Sequence, residues 1–312
     1  MEKNIERISD RRWNAWVELA KSFGFIDMAA APAGDVKRSA ELRSWVAQGF
    51  HGEMGWFARS LEKRLNPLMV MEKAASIIVL TIPYHAQPCE LAGKKLARYA
   101  CGDDYHEILL AKLRELCGKM ALDIPEAHFR PYVDTGPVLE RYWAQEAGIG
   151  WIGKNGNLIS RRSGSYIFLA AILTDLRVPY GRPHPFHCGS CRACIDACPT
   201  EAIVADGVVD SRRCISYLTI EHRGPFENAP PFEDWIFGCD ICQEVCPWTR
   251  KFSLESVLDA FRPRPAYESL GERALETMEP SQFSLTFRKS PIKRTKLAGM
   301  RRNAQHLREE EP

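Results

Sequence analysis

Residues 188–199 read Cys-Gly-Ser-Cys-Arg-Ala-Cys-Ile-Asp-Ala-Cys-Pro. This C-x2-C-x2-C-x3-C-P spacing is typical of the bacterial run that holds a [4Fe-4S] cluster. Residues 239–247 repeat its second half, and Cys214 lies upstream, where it can supply the missing first cysteine. In two-cluster ferredoxins the fourth cysteine of each run ligates the other cluster. The sequence therefore predicts two clusters with crossed ligands.

The crossing rule assigns eight of the eleven cysteines. One set is Cys188, Cys191, Cys194 and Cys246, and the other is Cys198, Cys214, Cys239 and Cys242. The remaining three are interpreted as small apolar core residues: Cys89, Cys101 and Cys117. Structural zinc is the main alternative for the eight, because C-x-x-C pairs also bind zinc. Disulfides are disfavoured, since nothing else in the chain is typical of a secreted protein.

The composition is that of an ordinary globular protein, with 45% hydrophobic and 26% charged residues in 312. A net charge of +2 does not by itself indicate a polyanionic partner. The first ten residues are charged where a secretory signal needs an apolar core, and the chain contains no long apolar run. We therefore expect a cytoplasmic monomer without a membrane span.

Strands and helices alternate over the first 175 residues or so, which predicts a three-layer α/β or α+β domain. Ser39 is predicted as an N-cap, Gly24 as the residue just past a helix, and 77–80 as part of a strand buried on both faces. The predicted helices are 5–23, 39–48, 103–120 and 139–147. The predicted strands are 25–29, 74–82, 129–133 and 166–173.

Three domains are expected. Residues 1–177 form the first, and the prolines and glycine of 178–187 mark a linker into a ferredoxin-like domain at 178–251. Residues 252–312 form a C-terminal extension, with seven Lys/Arg and no acid between 288 and 302.

Two segments of the first domain are candidate site elements. Asp134 follows a predicted strand, where catalytic groups are frequent, although capping of the next helix is the simpler interpretation. Residues 148–156 are glycine-rich but match neither phosphate-loop motif, so a backbone close to a flat cofactor and a plain glycine turn both remain open. Asp104-Tyr105-His106 resembles the start of the D-x-H-x-x-G cobalamin signature, but Leu109 stands in place of the glycine, so His106 is interpreted as a helix-face residue near the pocket.

These motifs together resemble the epoxyqueuosine reductases, cobalamin-dependent iron–sulfur enzymes of queuosine synthesis in tRNA. The resemblance runs from about residue 5 to 303. It is carried by 98–99, 104–106, 133–136, 147–155, the Cys188 run, 213–219 and 237–242. It implies a first domain that is similar to reductive dehalogenases and binds base-off cobalamin. It also implies a substrate tRNA carrying epoxyqueuosine and an electron donor that is not identified.

The resemblance also assigns residues. Asp134 would donate a proton, and we expect burial to raise its pKa for that task. Cobalamin contacts would come from Arg64, Asp134, Lys154, Ser216 and Asp240. Contacts with tRNA would come from Arg141, Glu221, His222 and Arg223, with the basic segment 288–302 as a further phosphate-binding element.

The chain departs from the family pattern at Ala170 and Ala171, where Gly-Glu is frequent. It also ends before the helical repeats that many members carry. Two other functions stay open: a reductive dehalogenase acting on a small molecule, and a non-catalytic iron–sulfur electron carrier. Against the first, Arg11-Arg12 is not followed by the apolar segment of an export signal.

Overall fold

The computed structural model describes residues 7–271 and 273–310. No helix in these ranges is both long and apolar enough to span a bilayer. The strands are β1 Asp27–Pro32, β2 Ser76–Pro83, β3 Cys89–Leu91, β4 Lys94–Leu96, β5 Phe129–Tyr132, β6 Trp151–Ile152, β7 Leu158–Ile159, β8 Ile167–Thr174, β9 Ile203–Ala205, β10 Val208–Val209 and β11 Trp235–Phe237.

The described residues also form fourteen α-helices. They are α1 Asp10–Ser22, α2 Ser39–Ala47, α3 Gly55–Arg59, α4 Leu61–Leu65, α5 Tyr105–Asp123, α6 Glu140–Glu146, α7 Ala193–Asp196, α8 Ile215–Ile220, α9 Ile241–Glu244, α10 Pro247–Phe252, α11 Pro265–Glu268, α12 Ala274–Thr277, α13 Pro280–Thr286 and α14 Lys296–Glu309.

The first domain is built on a four-stranded antiparallel sheet in the order β1-β2-β8-β5. All eight residues of β2 are buried, which confirms the strand predicted to be covered on both faces. Alternate residues of β2 point to opposite faces of the sheet, and each face is covered by its own hydrophobic core. Ile78 and Leu80 pack with α1 and α5, whereas Ile77 and Val79 pack with α4 and α6. The domain is therefore α+β, in three layers.

Helices α1, α5 and α6 begin later than predicted, and the cap predicted for α2 is misplaced. The helix predicted at 5–23 begins at Asp10, and Ser9 caps it by accepting from the Arg12 N–H at 3.3 Å. Residues 1–6 lie outside the described ranges. Ser39 is the first helical residue of α2 and not its N-cap, so that prediction is wrong. Gly24 does end α1, with a φ of +93°.

The C-terminal extension folds onto the cysteine-bearing loops. Helix α14 contributes to a separate core with α8 and β11. Asn303 is fully buried, and its amide donates to the Thr219 and Ile236 carbonyls at 2.8 and 3.0 Å. Thr219 lies five residues after Cys214, and Ile236 lies three residues before Cys239. The last helix therefore supports the loops that carry both cysteines.

Two of the three leftover cysteines form a disulfide. Cys89 on β3 and Cys101 are paired, with their Cα atoms 6.1 Å apart. Both are buried, as predicted for apolar core residues, but their interpretation as unpaired thiols is wrong. Cys117 is free and buried, as predicted.

Candidate active site

The predicted first set of cysteines surrounds a small cavity. Three of its cysteines come from the turn that leads into α7, and Cys246 comes from the turn before α10. The Trp151 indole is fully buried and donates to Cys188 Sγ at 3.4 Å. Lys154 and Asn155 complete the wall. The structure thus brings Cys188, Cys191 and Cys194 together with a cysteine from the second run.

The predicted second set lines a neighbouring small cavity. Cys198 of the first run faces Cys214, Cys239 and Cys242 across it. The Ala202 N–H donates to Cys198 Sγ at 3.4 Å. Asn155 lines both cavities, so the two sets are adjacent.

The arrangement suits clusters better than zinc. A zinc ion draws four ligands to within about 2.3 Å of one point. No group of three or more Cys, His, Asp or Glu in the described part of the chain is arranged to hold a single ion, whereas the sulfurs enclose cavities. Burial, helped by nearby Cys188 and Cys246, raises the pKa of Cys194 to about 11. Bound iron would displace the protons of these thiols, and its positive charge would offset the repulsion between the resulting thiolates.

Asp134 stands at the end of β5 in a left-handed backbone conformation, with a φ of +55°. Its Oδ2 accepts from Tyr105 Oη at 2.7 Å and lies 3.4 Å from His106 Nε2. The other ring nitrogen of His106 lies 2.7 Å from Asp104 Oδ1. The Asp134 side chain is 65% exposed, yet surrounding atoms desolvate its carboxyl group strongly, so it lies in a concave part of the surface that we call the cleft. A histidine between two carboxylates thus faces this cleft.

The electrostatics of this group reverse one expectation. Burial alone would lower the pKa of His106, but its bonds to Asp104 and Asp134 raise it to about 9. Burial would raise the pKa of Asp134, but the bonds from His106 and Tyr105 and the charges of His106 and Arg141 lower it. The expectation that the pocket raises the pKa of Asp134 is therefore wrong. At neutral pH the proton resides on His106.

Glu140, at the start of α6, is a further acid that sequence reasoning missed. Its Oε1 accepts from the Asp134 N–H at 3.0 Å. Burial and the nearby charge of Asp134 raise the pKa of Glu140 to about 8. Two adjacent carboxyl groups seldom ionise together. Glu140 is therefore neutral at pH 7, and it helps to hold the Asp134 turn.

Arg98 and Tyr99 connect the cleft to the second cavity. The Arg98 N–H donates to Asp240 Oδ2 at 2.8 Å, directly beside Cys239. Burial raises the pKa of Asp240 to about 6, although Arg98 opposes the shift. The Tyr99 ring lies 6.2 Å from the Tyr105 ring, between centroids. A side chain at Gly238, whose φ is +70°, would collide with Ala97, so only glycine permits this approach.

The residues predicted to contact cobalamin occupy different places. Arg64 is buried, and burial lowers its pKa. The charges of Glu140 and Asp134 shift this pKa in the opposite direction, which places Arg64 near both residues at the cleft. Lys154 instead lines the first cavity, with its Nζ 3.3 Å from Asp206. Ser216 follows Cys214 on α8, and the carboxylate of Asp240 is already bonded to Arg98. The structure therefore brings Arg64, but not Lys154, together with Asp134.

Three of the four residues predicted to contact tRNA form one network. His222 Nδ1 lies 3.1 Å from Glu53 Oε1, and the Arg223 N–H donates to the same carboxylate at 2.9 Å. Glu221 pairs with Arg294 of the basic segment through contacts of 2.9 and 2.8 Å. Arg141 lies apart and donates to the Gly156 carbonyl at 2.6 Å.

Comparison with known proteins places these features in a family context. Residues 187–249 match a family model described as a 4Fe-4S double cluster binding domain. Residues 64–135, which end just past Asp134, match a model described as epoxyqueuosine reductase QueG, DUF1730. The first match covers all eight cysteines of the two cavities.

Whole-chain relatives agree with both models. An epoxyqueuosine reductase of Cellulophaga algicola is 41% identical over 91% of this chain and 94% of its own length. A crystal structure of an epoxyqueuosine reductase with a modified tRNA stem loop is 27% identical, with a TM-score of 0.86 over 95% of this chain and 80% of that one. A Bacillus subtilis structure, described with an aspartate catalytic loop swung out of the active site, is 26% identical, with a TM-score of 0.85 over 95% and 81% of the two chains.

Proposed function

Because the chain belongs to the epoxyqueuosine reductase family and is an oxidoreductase, we propose that it reduces epoxyqueuosine in tRNA to queuosine. The observation that carries the proposal is the position of the Asp134–His106 pair. The pair faces the cleft, and the Tyr99 ring lies between Tyr105 at this cleft and Phe237, two residues before Cys239 of the second cavity. A proton source and an electron path therefore meet at one place.

The reduction of an epoxide needs both a proton source and an electron path. Removing the epoxide oxygen to leave an alkene consumes two electrons and two protons and releases water. The two sets of cysteines would hold [4Fe-4S] clusters that pass electrons one at a time. Cys198, Cys214, Cys239 and Cys242 would hold the cluster nearer the cleft. The other set would hold the outer cluster.

Asp134 is the proposed proton donor to the departing oxygen. Its own low pKa makes it a poor store of protons at neutral pH, whereas His106 holds one tightly. The proton would move from His106 Nε2 to the Asp134 carboxylate and then to the oxygen. Asp104 keeps the opposite ring nitrogen oriented, and Tyr105 fixes Oδ2. The pair, and not the aspartate alone, is the working acid.

The cleft fits cobalamin at Arg64. This guanidinium is 6% exposed, bonds Ser60 Oγ through Nε at 2.9 Å, and has no carboxylate within 4.0 Å in the described ranges. Its remaining donors suit the amide and phosphate oxygens of cobalamin. When bound and reduced, cobalamin would supply a strong nucleophile for the epoxide-bearing ring. Two carboxylates hold the His106 ring, so His106 would not be available as a ligand for the base-off cobalamin proposed here.

The test is a direct assay. The protein, purified without oxygen and analysed for iron and cobalt, is incubated with a reductant and an anticodon stem-loop carrying epoxyqueuosine. Loss of one oxygen atom from the nucleoside, seen by mass spectrometry and dependent on added cobalamin, is the expected result. A protein with about eight irons and no activity with any cobalamin supplement would instead be an electron carrier.

The pH profile provides a prediction for His106. Its folded pKa of about 9 lies above the ordinary value of 6.5, so the bound proton stabilises the fold fully below pH 6.5. That stabilisation is lost as the pH rises through 9. We expect turnover to fall over the same range, because the proton store empties. In His106→Gln, turnover at pH 7 should be lower by about 10²-fold and this alkaline decline should vanish.

His128→Gln is the matched control, because His128 also bonds an aspartate, Asp175, at 2.7 Å but lies at the opposite end of β5. Its pH–rate profile should match that of the unchanged protein. An alkaline decline that persists in His106→Gln would assign the titration to another group.

The basic segment provides a prediction for RNA binding. Lys293 is exposed, has no ion-pair partner in the described part of the chain, and adjoins the Arg294–Glu221 pair. If it contacts a phosphate, Lys293→Ala should weaken stem-loop binding and reduce the slope of log K against log salt by about 1. Binding is measured by fluorescence anisotropy at several salt concentrations.

Lys73→Ala serves as its control. Lys73 is also exposed, but it precedes β2 at the end of the sheet away from Asp134. An equal loss of slope in both variants would indicate a general charge effect and would remove Lys293 from the RNA-binding surface.

A further inference from the structure

The two cysteine cavities differ in access to the surface. Of the eight cysteines that line them, only Cys191 in the first cavity is exposed. The chain on its N-terminal side, from 180 to 190, is also largely exposed. The second cavity lies next to Tyr99 and the cleft instead. Electrons from outside the protein therefore have their shortest route through the first cavity.

Five exposed cations lie on the segments around this cavity, and we call them the basic rim: Arg161, Arg182, Arg192, Arg250 and Lys251. Arg192 lies 3.4 Å from Asp196. The other four have no carboxylate within 4.0 Å among the described residues. Asp196 and Glu255 are the acids on the same segments, 177–196 and 247–255. The rim therefore carries a net positive charge that is not neutralised internally.

Packing joins these segments into one surface. The Trp151 ring lies 5.4 Å from the His184 ring and 5.1 Å from the Trp248 ring, which links the 180–192 loop to α10. A Cβ on Gly164 would lie 2.9 Å from Thr249 Cα, so the loop bearing Arg161 also abuts α10. All of these segments border the wall that contains Cys188 and Cys246.

Exposed aromatic rings accompany the charges. Phe186 is 51% exposed and Tyr180 is 41% exposed, both on the loop that leads to Cys188. Aromatic and arginine side chains are enriched at protein interfaces. Small interfaces with complementary charge are typical of short-lived electron-transfer complexes.

We propose that the basic rim is the docking site of a small acidic protein that carries single electrons. This inference rests on the proposed function, because it assumes a cluster in the first cavity. Each encounter would oxidise the carrier by one electron and reduce that cluster by one. Two encounters would supply one epoxide reduction. Charge attraction would speed the encounter and would weaken with added salt.

An RNA is the other polyanion to consider, but the observations favour a protein. The residues predicted to contact tRNA include 221–223, which bond to Arg294 and, among the described residues, to no residue of the rim. The rim instead surrounds the exposed Cys191, which an RNA substrate has no chemical need to approach. The experiment below would detect RNA binding at the rim as a loss of stem-loop affinity.

The experiment uses a reduced flavodoxin as the acidic carrier and the double variant Arg182→Glu/Lys251→Glu. Stopped-flow bleaching of the visible cluster absorbance gives the second-order rate of reduction. We expect the variant to be slower by about 10-fold or more at low salt, with a weaker salt dependence. Its affinity for oxidised flavodoxin should fall in parallel. A zwitterionic viologen, which has no net charge, should reduce both proteins at the same rate.

Arg114→Glu is the matched control, because Arg114 is exposed on α5, on the opposite face of the sheet from α6 and the 180–192 loop. It should leave the flavodoxin rate unchanged. An unchanged rate in the double variant, or no reduction of the unchanged protein by either flavodoxin or an acidic ferredoxin, would overturn the proposal. Loss of stem-loop binding in the double variant would assign the rim to RNA instead. A protein without iron would show that the proposed function has failed, and iron analysis detects this separately.

Discussion

Asp134→Asn is expected to lower kcat for epoxide reduction by about 10²–10⁴-fold while iron content and cobalamin binding stay unchanged. The amide keeps the size of the side chain and can still accept from Tyr105, but it cannot release a proton. It also removes one of the two carboxylates that hold the proton on His106. Single-turnover assays with the modified stem-loop measure the loss, and metal analysis shows that the cofactor sites persist.

Asp234→Asn is the control for this substitution. Asp234 has a φ of +67°, close to the +55° of Asp134, but it pairs with Lys94 at the surface. Asparagine tolerates this backbone region well, so neither variant should be strained. Full turnover in Asp134→Asn would exclude Asp134 as the proton donor, because the same substitution at Asp234 removes a carboxyl group that is not at the cleft.

Substituting single cysteines is expected to abolish turnover and to reveal which sulfurs share a cluster. Cys191→Ala and Cys246→Ala should each reduce the iron content from about eight to about four, although the two residues belong to different runs. The reason is that both line the first cavity. The double variant should lose no more iron than either single variant. Combining Cys198→Ala with Cys246→Ala should remove nearly all of it.

Cys117→Ala controls for loss of a buried thiol, because Cys117 lies in the core of the first domain and lines neither cavity. It should retain all the iron. Additive losses for Cys191→Ala and Cys246→Ala would mean that the runs do not cross, and the electron path proposed above would then need to be redrawn.

The cysteine sets were predictable because spacing alone carries the information. A C-x2-C-x2-C-x3-C-P run restricts where each sulfur can reach, and the structure gathers the same two sets of four. The buried strand β2 was predictable for a similar reason, because an unbroken apolar run is typical of a strand that is buried on both faces. The antiparallel pairing of β2 with β8 was not predictable, because the pairing of strands depends on contacts between residues that are distant in the chain.

The acid–base group shows where sequence stops being informative. Asp134 and His106 are 28 residues apart, and no local pattern indicates that they share a proton. Desolvation was the expected dominant effect on the pKa of Asp134, and it is present. The hydrogen bonds from His106 and Tyr105 and the charges of His106 and Arg141 outweigh it. Likewise, nothing in the spacing of Cys89 and Cys101 indicates a disulfide, which follows from the turn that brings β3 back beside the Arg98 segment.

The C-terminal segment looks too polar to fold from its composition, yet α14 buries Met300, Asn303 and Leu307 against α8 and β11. This contact has a consequence for biogenesis. Domains tend to fold from the N-terminus as the ribosome releases them. The supports for the Cys214 and Cys239 loops are translated after every cysteine has left the ribosome. The cavity near the cleft would therefore mature last, and iron delivery to it would follow the synthesis of α14.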